Sequence, residues 1–262
     1  MPEADLSRRA PLSTPVAGLG RYGLYLARLV PHLARPWREP GAVLRQLHFI
    51  GARSVTVIAV AGTFVGMVVA LQFHDTLVRF GAVSMLGAAV GLSLIRELAP
   101  VLTALIVIGR VGSAMCAEMG IMRSDNQVDA LECMAIDPYT YLLAPRFIAT
   151  IIAVPLLTAL FNVLGIAGGW FVGVVVFGLS EGAYFGGMAD SVLGRDVAMD
   201  VVKALVFALL IVWICTAKGF LMHLAPRPAF GAEGVSRTTT EAVVAASITV
   251  LFADYIISAL ML

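Results

Sequence analysis

Four ionisable residues interrupt otherwise apolar stretches of the chain, and they are the first candidates for chemistry. Arg96 and Glu97 are adjacent, while Lys203 and Asp254 stand alone in later stretches. A charge inside a bilayer costs about 2.5–3.5 kcal/mol on insertion scales, so it usually faces a cavity or a charged partner. Arg96 and Glu97 therefore either line a substrate cavity near the bilayer centre or form an interhelical salt bridge with Lys203 or Asp254.

The other residues of these stretches refine that choice. Asp254 lies near the middle of the last stretch and is either the partner of a buried cation or part of a cavity wall. Lys203 lies close to the outer end of its stretch, where we expect it to snorkel toward water. Pro100 follows Arg96 and Glu97 and cannot donate to the helix ladder, so a bend there would open backbone polar groups toward an interior space.

No set of side chains indicates catalysis or metal binding. The histidines are scattered, and Cys116, Cys133 and Cys215 form no Cys-x-x-Cys pair. Neither lysine is followed by Ser or Thr, as the nucleotide-binding pattern GxxxxGK[ST] requires. We therefore predict no catalytic residue, no metal and no cofactor on this chain. If ATP drives its function, another chain must hydrolyse the ATP.

The composition is that of a membrane protein. The 262 residues are 60% hydrophobic and 13% charged, with a mean hydropathy of +0.92. Soluble domains average roughly 45–50% apolar and about 25% charged residues, so disorder is excluded and a water-soluble enzyme is disfavoured. The formal net charge of +1 does not indicate a nucleic-acid partner. The predicted fold class is an all-α membrane protein.

Five apolar runs are long enough to cross a bilayer, because a spanning helix needs about 20 residues. They are Ser54–His74, Phe80–Gly109, Phe147–Ser180, Val201–Ala217 and Ala242–Leu262. The third run exceeds one span, and its glycines would also allow a helical hairpin and thus six spans. Arg and Lys concentrate before the first span and in the second and fourth loops, which places those segments and the N-terminus in the cytoplasm. The acidic third loop, Ser180–Asp200, then lies outside.

Small residues recur at a spacing that allows helices to approach closely. The pairs are Gly62 and Gly66, Gly87 and Gly91, and Gly165 and Gly169. Such small-xxx-small patterns permit tight packing within a chain or between copies.

Residues 1–45 form a basic segment ahead of the transmembrane domain, which we assign to residues 46–262. The apolar residues that fall on one side of a helical wheel are Leu19, Tyr22, Leu26, Leu29 and Val30. Arg21 and Arg28 fall on the other side, which predicts an amphipathic helix in the cytoplasmic headgroup layer. The alternative is a helix packed on the protein's own loops. No apolar signal-peptide core precedes it.

The second cytoplasmic loop, Gly120–Pro145, predicts a short helix over residues 124–137. Ser124 and Gln127 have capping-box spacing, and Pro138 ends the pattern. The predicted apolar face consists of Val128, Leu131 and Ala135. The neighbouring charged positions are Asp125, Asp129 and Glu132. Such a helix could dock into a groove on a soluble partner or serve as an ordinary interfacial connector, and the spacing favours neither.

Several motifs in order resemble one known family over residues Gln46–Leu262. In chain order the motifs are Gly62-x-x-x-Gly66-Met67 with Leu71-Gln72, Leu94–Pro100 (LIRELAP), Gly109–Ala114 (GRVGSA), Ala117–Gly120 (AEMG), Ala130–Pro138 (ALECMAIDP) and Gly234–Thr240 (GVSRTTT). They resemble the permease subunits of Mla-type and Mce-associated ABC transporters, the MlaE family.

This resemblance implies a homodimeric permease in the inner membrane, with five spans and one interfacial helix. Two cytoplasmic ATPase subunits would hold the ATP and Mg²⁺. The implied partners also include an MCE-domain lipid-binding protein on the outer side and, in the Mla branch, a small STAS-domain protein. The implied cargo is glycerophospholipid, moved to maintain outer-membrane asymmetry.

The resemblance also implies which residues act. It places Arg96 and Glu97 at the lipid cavity of the dimer and Glu132–Pro138 in the helix that contacts the ATPase. We expect the cavity to be walled by spans one, two and five. The predicted lipid-binding residues are Arg96, Glu97, Leu71, Phe80, Leu98 and Asp254. The predicted ATPase-coupling residues are Asp129, Glu132, Met134 and Asp137.

Two other classes of function remain open at the level of sequence. One is a secondary transporter driven by protons, with Glu97 and Asp254 as the proton carriers. The other is a passive membrane scaffold for an outer lipid carrier. An ATPase bound to the chain would separate the predicted function from both.

Overall fold

The described part of the chain is helical throughout, apart from short turns. The computed structural model describes residues 13–33, 40–224 and 231–261, and no strand occurs among them. The five long helices are α2 Pro40–Phe80, α3 Val83–Ser124, α5 Tyr139–Val176, α7 Gly194–Phe220 and α8 Gly231–Met261. Three shorter helices are α1 Ser13–Leu29, α4 Gln127–Cys133 and α6 Glu181–Ser191.

The predicted all-α fold with five spans is confirmed. Each of the five long helices is long and apolar enough to cross a membrane. The alternative of a hairpin in the third run is wrong, because α5 is one continuous helix from Tyr139 to Val176.

The fourth span begins earlier than predicted. The helix α7 starts at Gly194 rather than Val201, so Asp196 and Asp200 lie within it and are buried. The predicted acidic loop Ser180–Asp200 instead holds α6, whose Ser180 side chain accepts a hydrogen bond from Ala183 N at 3.2 Å. A search for uncharged runs places the start of such a helix too late. The helix can hold these carboxylates because they pair with residues on other helices.

The glycine pairs bring helices of one chain into backbone contact. A Cβ added to Gly66 on α2 would lie 1.9 Å from the carbonyl oxygen of Gly165 on α5. A Cβ added to Gly87 on α3 would lie 1.9 Å from the carbonyl oxygen of Tyr184 on α6. The Gly62–Gly66 and Gly165–Gly169 patterns therefore fix α2 against α5. The Gly87–Gly91 pattern fixes α3 against α6.

The N-terminal helix α1 packs on α7. The buried Tyr25 hydroxyl donates to Thr216 Oγ1 at 3.0 Å, and Trp213 Nε1 donates to the carbonyl oxygen of Tyr22 at 3.1 Å. Leu29 of the predicted apolar face is buried, as in the alternative of a helix packed on the protein itself, whereas Val30 is exposed in the 3-10 turn that follows α1. A place for α1 in the headgroup layer stays a prediction. The Leu19 side chain, residues 1–12 and residues 34–39 lie outside the described part of the chain.

The predicted loop helix exists but is shorter and capped differently. It is α4, Gln127–Cys133, and the residue before it, Asn126, adopts a left-handed conformation with φ 56°. Ser124 ends α3 and accepts a hydrogen bond from Gly231 N at 3.0 Å, so the predicted capping box is wrong.

The far end of α4 also differs from the prediction. Ala135 at φ 59° reverses the backbone, and Ile136 N donates to the carbonyl oxygen of Leu131 at 2.9 Å. This Schellman-type ending keeps Ala135 out of the helix and exposed, so its predicted place on the apolar face is wrong. Val128 is fully buried, as predicted for that face.

Candidate functional site

A fully buried lysine organises the polar groups inside the bundle. Lys203 Nζ, on α7, donates to Glu97 Oε2 at 2.8 Å and to the carbonyl oxygen of Arg96 at 2.7 Å. Asp254 Oδ1, on α8, lies 2.8 Å from the same nitrogen as an ion-pair contact without hydrogen-bond geometry. Ser258 Oγ, also on α8, donates to Glu97 Oε1 at 3.0 Å. We call Lys203, Glu97 and Asp254 the lysine cluster; it joins α3, α7 and α8.

The backbone of α3 contributes to this cluster because of a proline. Pro100 has no N–H, so the carbonyl of Arg96 lacks its usual donor four residues on. The helix also widens into a π-helical turn over Leu94–Leu98. The carbonyl of Arg96 is thus free of the helix ladder, as predicted for the segment near Pro100, and the ammonium of Lys203 satisfies it. The bend toward an interior space stays a prediction.

The cluster corrects one prediction and confirms another. Lys203 does not snorkel: its side chain is 0% exposed, and two carboxylates neutralise it. The interhelical salt bridge predicted as an alternative is confirmed for Glu97 with Lys203. Along α7, Lys203 lies roughly 14 Å from Gly194 but only about 6 Å from Phe207 at the middle of the helix, at about 1.5 Å per residue, so the cluster is nearer the middle of this helix than its end.

Arg96 pairs with a residue that the sequence reasoning did not consider. Its Nε donates to Asp196 Oδ1 at 2.8 Å, and the same carboxylate accepts a hydrogen bond from Leu193 N at 2.9 Å. Arg96 therefore braces the first turn of α7, and its predicted salt bridge with Asp254 is wrong. Its side chain is still 34% exposed, so part of it remains accessible.

A second buried polar pair lies one turn before Lys203. Asn162 Nδ2 on α5 donates to Asp200 Oδ2 on α7 at 2.9 Å, and both side chains are buried. Within the described ranges, the other side-chain oxygen of each residue has no hydrogen-bond partner. The sequence reasoning missed this pair because it placed Asp200 in a loop.

The predicted lipid-binding residues fall into two groups. Glu97 and Asp254 meet at Lys203 and remain partly accessible, with side chains 43% and 17% exposed. Leu98 is half-buried beside Glu97, whereas Leu71 and Phe80 lie exposed on α2. A lipid-binding role for these residues stays a prediction.

The predicted coupling residues are also divided. Glu132 and Met134 are exposed, as a docking surface requires. Asp129 accepts a hydrogen bond from Arg123 Nη1 at 2.7 Å. The role of these side chains toward an ATPase stays a prediction.

Asp137 caps the start of α5. Its carboxylate accepts hydrogen bonds from Thr140 Oγ1 at 2.6 Å and from Tyr139 N at 3.2 Å, and it lies 3.0 Å from His32 Nδ1. Partial burial opposes ionisation, but these hydrogen bonds and the imidazole outweigh it and hold the pKa of Asp137 below its ordinary value. Asp137 thus links the end of α1 to the start of α5.

In the described ranges, no three His, Cys, Asp or Glu side chains are grouped as metal ligands would be. A bundle of five bilayer-length helices, with an internal ion cluster that is partly accessible, is the architecture of a membrane transport protein.

The particular family is shown by comparison with known proteins. The family model described as Permease MlaE matches residues 43–260. The chain belongs to the MlaE permease family, and the resemblance found in its motifs is confirmed.

Relatives of this chain occur in bacteria and in a plant. A permease protein MlaE of an intermembrane phospholipid transport system from Haemophilus influenzae is 41% identical over 93% of this chain and 91% of its own length. A probable ABC transporter permease protein from Rickettsia felis is 39% identical over 92% of this chain and 91% of its own. The chloroplast protein TRIGALACTOSYLDIACYLGLYCEROL 1 of Arabidopsis thaliana is 33% identical over 85% of this chain and 61% of its own.

Proposed function

We propose that this chain is the transmembrane subunit of an ABC transporter that moves glycerophospholipids between the inner membrane and an outer MCE-protein route, which maintains outer-membrane asymmetry. The observation that carries this proposal is the 41% identity, over nearly the whole chain, to a permease of an intermembrane phospholipid transport system. The N-terminus would lie in the cytoplasm, and a STAS-domain protein would complete the assembly.

The exposed apolar surface of α8 supports a homodimer. Only 11% of the most apolar 18-residue stretch of α8 is buried within the chain, against 50% for α3 and α5. Its exposed side chains include Ile248, Phe252 and Tyr255. Such a surface must face lipid, a second copy, or cargo held between copies, and we assign it to the cavity of the dimer.

The lysine cluster supports a role at the wall of this cavity. Lys203 is buried and neutralised, whereas Glu97 and Arg96 keep part of their surface exposed. A phosphate headgroup could therefore reach the Arg96 guanidinium while its acyl chains contact Leu98 and the apolar face of α2. Arg96 would then bind cargo and hold Asp196 at the same time.

The exposed end of α4 supports the docking of an ATPase on this helix at the cytoplasmic side. Glu132 and Met134 project from the end of this helix, while Val128 anchors it in the core. ATP binding would close two ATPase subunits and shift α4 in each copy. Cavity closure then requires contacts that differ between the two states, which the charged groups near Lys203 can supply.

The decisive experiment is purification of the tagged chain together with the proteins encoded beside it. We expect an ABC ATPase to copurify, and we expect the complex in proteoliposomes to transfer fluorescent phosphatidylethanolamine to its outer carrier only when ATP is present. Glu97→Gln and Arg96→Gln should each reduce photo-cross-linking of a labelled phospholipid to α3. The matched control is Arg79→Gln, because Arg79 forms an exposed pair with Asp75 on the outer end of α2.

Other outcomes point to other functions. Transfer that needs a proton gradient and no ATPase would establish a secondary transporter instead. An assembly that binds the outer carrier but moves no lipid would be a passive scaffold.

A further inference from the structure

One arginine joins three elements at the cytoplasmic side. Arg123, in the last turn of α3, donates from Nη1 to Asp129 on α4 at 2.7 Å. Its Nε donates to the carbonyl oxygen of Phe220, the last residue of α7, at 3.3 Å. The guanidinium carbon also lies 4.8 Å from the centroid of the Phe220 ring. α4 is thus tied to the end of α7 through a single side chain.

The contact at Phe220 uses features of a helix end. The last carbonyls of a helix lack intrahelical donors and carry partial negative charge, so a cation there is favourable. The Phe220 ring is buried against Tyr25 at 5.8 Å and Tyr139 at 5.5 Å between ring centroids. Arg123 therefore rests on a ring that two other aromatic side chains already hold in place, which fixes its position relative to α7.

The same end of α7 is packed tightly on α3. A Cβ added to Gly219 would lie 2.4 Å from the carbonyl oxygen of Cys116, and one added to Gly112 would lie 2.8 Å from Cys215 Sγ. These contacts leave α3 and α7 little room to slide past each other, because closely packed backbones do not deform continuously. A displacement of α4 therefore reaches α7 by two routes. One is the Arg123 side chain, and the other is the half of α3 that ends at Ser124 and is packed on α7.

Lys203 lies in the opposite half of α7, the half that begins at Gly194. The stretch from Lys203 to Phe220 is helical and spans roughly 26 Å at about 1.5 Å per residue. At one end it meets α4 through Arg123, and at the other it holds Glu97 of α3 and Asp254 of α8. A rigid helix with discrete contacts at both ends is a physical route for coupling between two sites.

We propose that α7 transmits the movement of α4 to the lysine cluster, and that Arg123 is the positioning residue that joins α4 to α7. The proposal rests on the proposed function, because it assigns the origin of the movement to an ATPase on α4. When α4 shifts, α7 and the part of α3 packed on it shift together and alter the contact that Lys203 makes with Asp254 on α8. Lipid release at the cavity is thereby linked to the ATPase cycle.

The test measures lipid transfer and ATP hydrolysis on the same reconstituted complex of this chain with its ATPase and outer carrier, with fluorescent phosphatidylethanolamine as the probe. Arg123→Ala should retain ATP hydrolysis within about twofold and lower the lipid transferred per ATP by about tenfold, a factor within the usual range of coupling between sites. Phe220→Leu, which keeps an apolar side chain but removes the ring, should lower the same ratio. Arg79→Gln is the matched arginine control and should leave the ratio unchanged.

A conservative variant separates coupling from mere support of the fold. Arg123→Lys keeps the charge opposite Asp129 but cannot donate from Nε or stack its plane on Phe220, so we expect it to restore part of the ratio. Equal losses of hydrolysis and transfer in Arg123→Ala and Phe220→Leu would overturn the proposal, as would an unchanged ratio in both. Absence of an ATPase from the native complex would refute the proposed function itself, whereas the variants test only the coupling through Arg123.

Discussion

Replacing Lys203 by methionine should destabilise the protein more than any replacement of an exposed charge. Methionine fills a similar volume but leaves Glu97 and Asp254 without their cation and the Arg96 carbonyl without its donor. Breaking a buried ion pair from one side costs about 3–5 kcal/mol. Because Glu97 is 43% exposed and can be partly rehydrated, we expect the lower end, about 3 kcal/mol.

The assay is unfolding in detergent micelles, followed by circular dichroism during a denaturant titration. The control is Lys218→Met, which removes the chain's other lysine, where the contact with Glu241 is long at 3.4 Å and partly exposed. A surface pair of this kind is worth about 0–1 kcal/mol, so the control should lose little.

A triple variant tests whether the loss of stability comes from the unpaired carboxylates. Lys203→Met combined with Glu97→Gln and Asp254→Asn removes all three charges, and such neutral replacements of buried ion groups are often tolerated. We expect it to recover most of the stability lost in the single variant. If Lys203→Met loses under about 1 kcal/mol, or if the triple variant is less stable than the single one, the cluster does not stabilise the bundle as argued.

Three further predictions concern other parts of the chain. Asn162→Ala leaves the buried Asp200 without its donor and should reduce the free energy of unfolding by about 1–3 kcal/mol in the same titration. Gly66→Ala forces α2 from the carbonyl that a Cβ would meet at 1.9 Å and should cost about 1–3 kcal/mol or more, whereas Gly186→Ala, with open space around it, should cost nothing. The lowered pKa of Asp137 contributes stability above the ordinary carboxyl pKa, and this is lost as the pH falls through the lowered value. Thermal unfolding scans from pH 7 downward should show a larger loss in the native chain than in Asp137→Asn.

The sequence predicts the number and nature of the spans because apolar runs are local features. It fails where a helix carries charges within its first three turns, as α7 does with Asp196, Asp200 and Lys203. Those residues are satisfied by Arg96, Asn162 and Glu97 on other helices, and no local pattern reports such pairing.

One local signal did point to the site. Pro100 stands four residues after Arg96 and thereby frees its carbonyl, which indicates a donor from another helix. A lysine within an apolar run was the available candidate, but its position near the end of the run favoured snorkelling. Both ends of α4 are set by residues in left-handed conformations, Asn126 and Ala135. Because alanine seldom adopts this backbone conformation, the sequence pattern could not indicate where α4 ends.

The lysine cluster has a consequence for how the chain enters the bilayer during synthesis. Glu97 is made before Lys203, and Asp254 is made last. When α7 leaves the insertion machinery, the carboxylate of Glu97 is therefore already available to the ammonium, which lowers the energy needed to place a charged helix in lipid. The second carboxylate arrives only with α8, so assembly of the cluster is complete only when the last helix has been released beside the others.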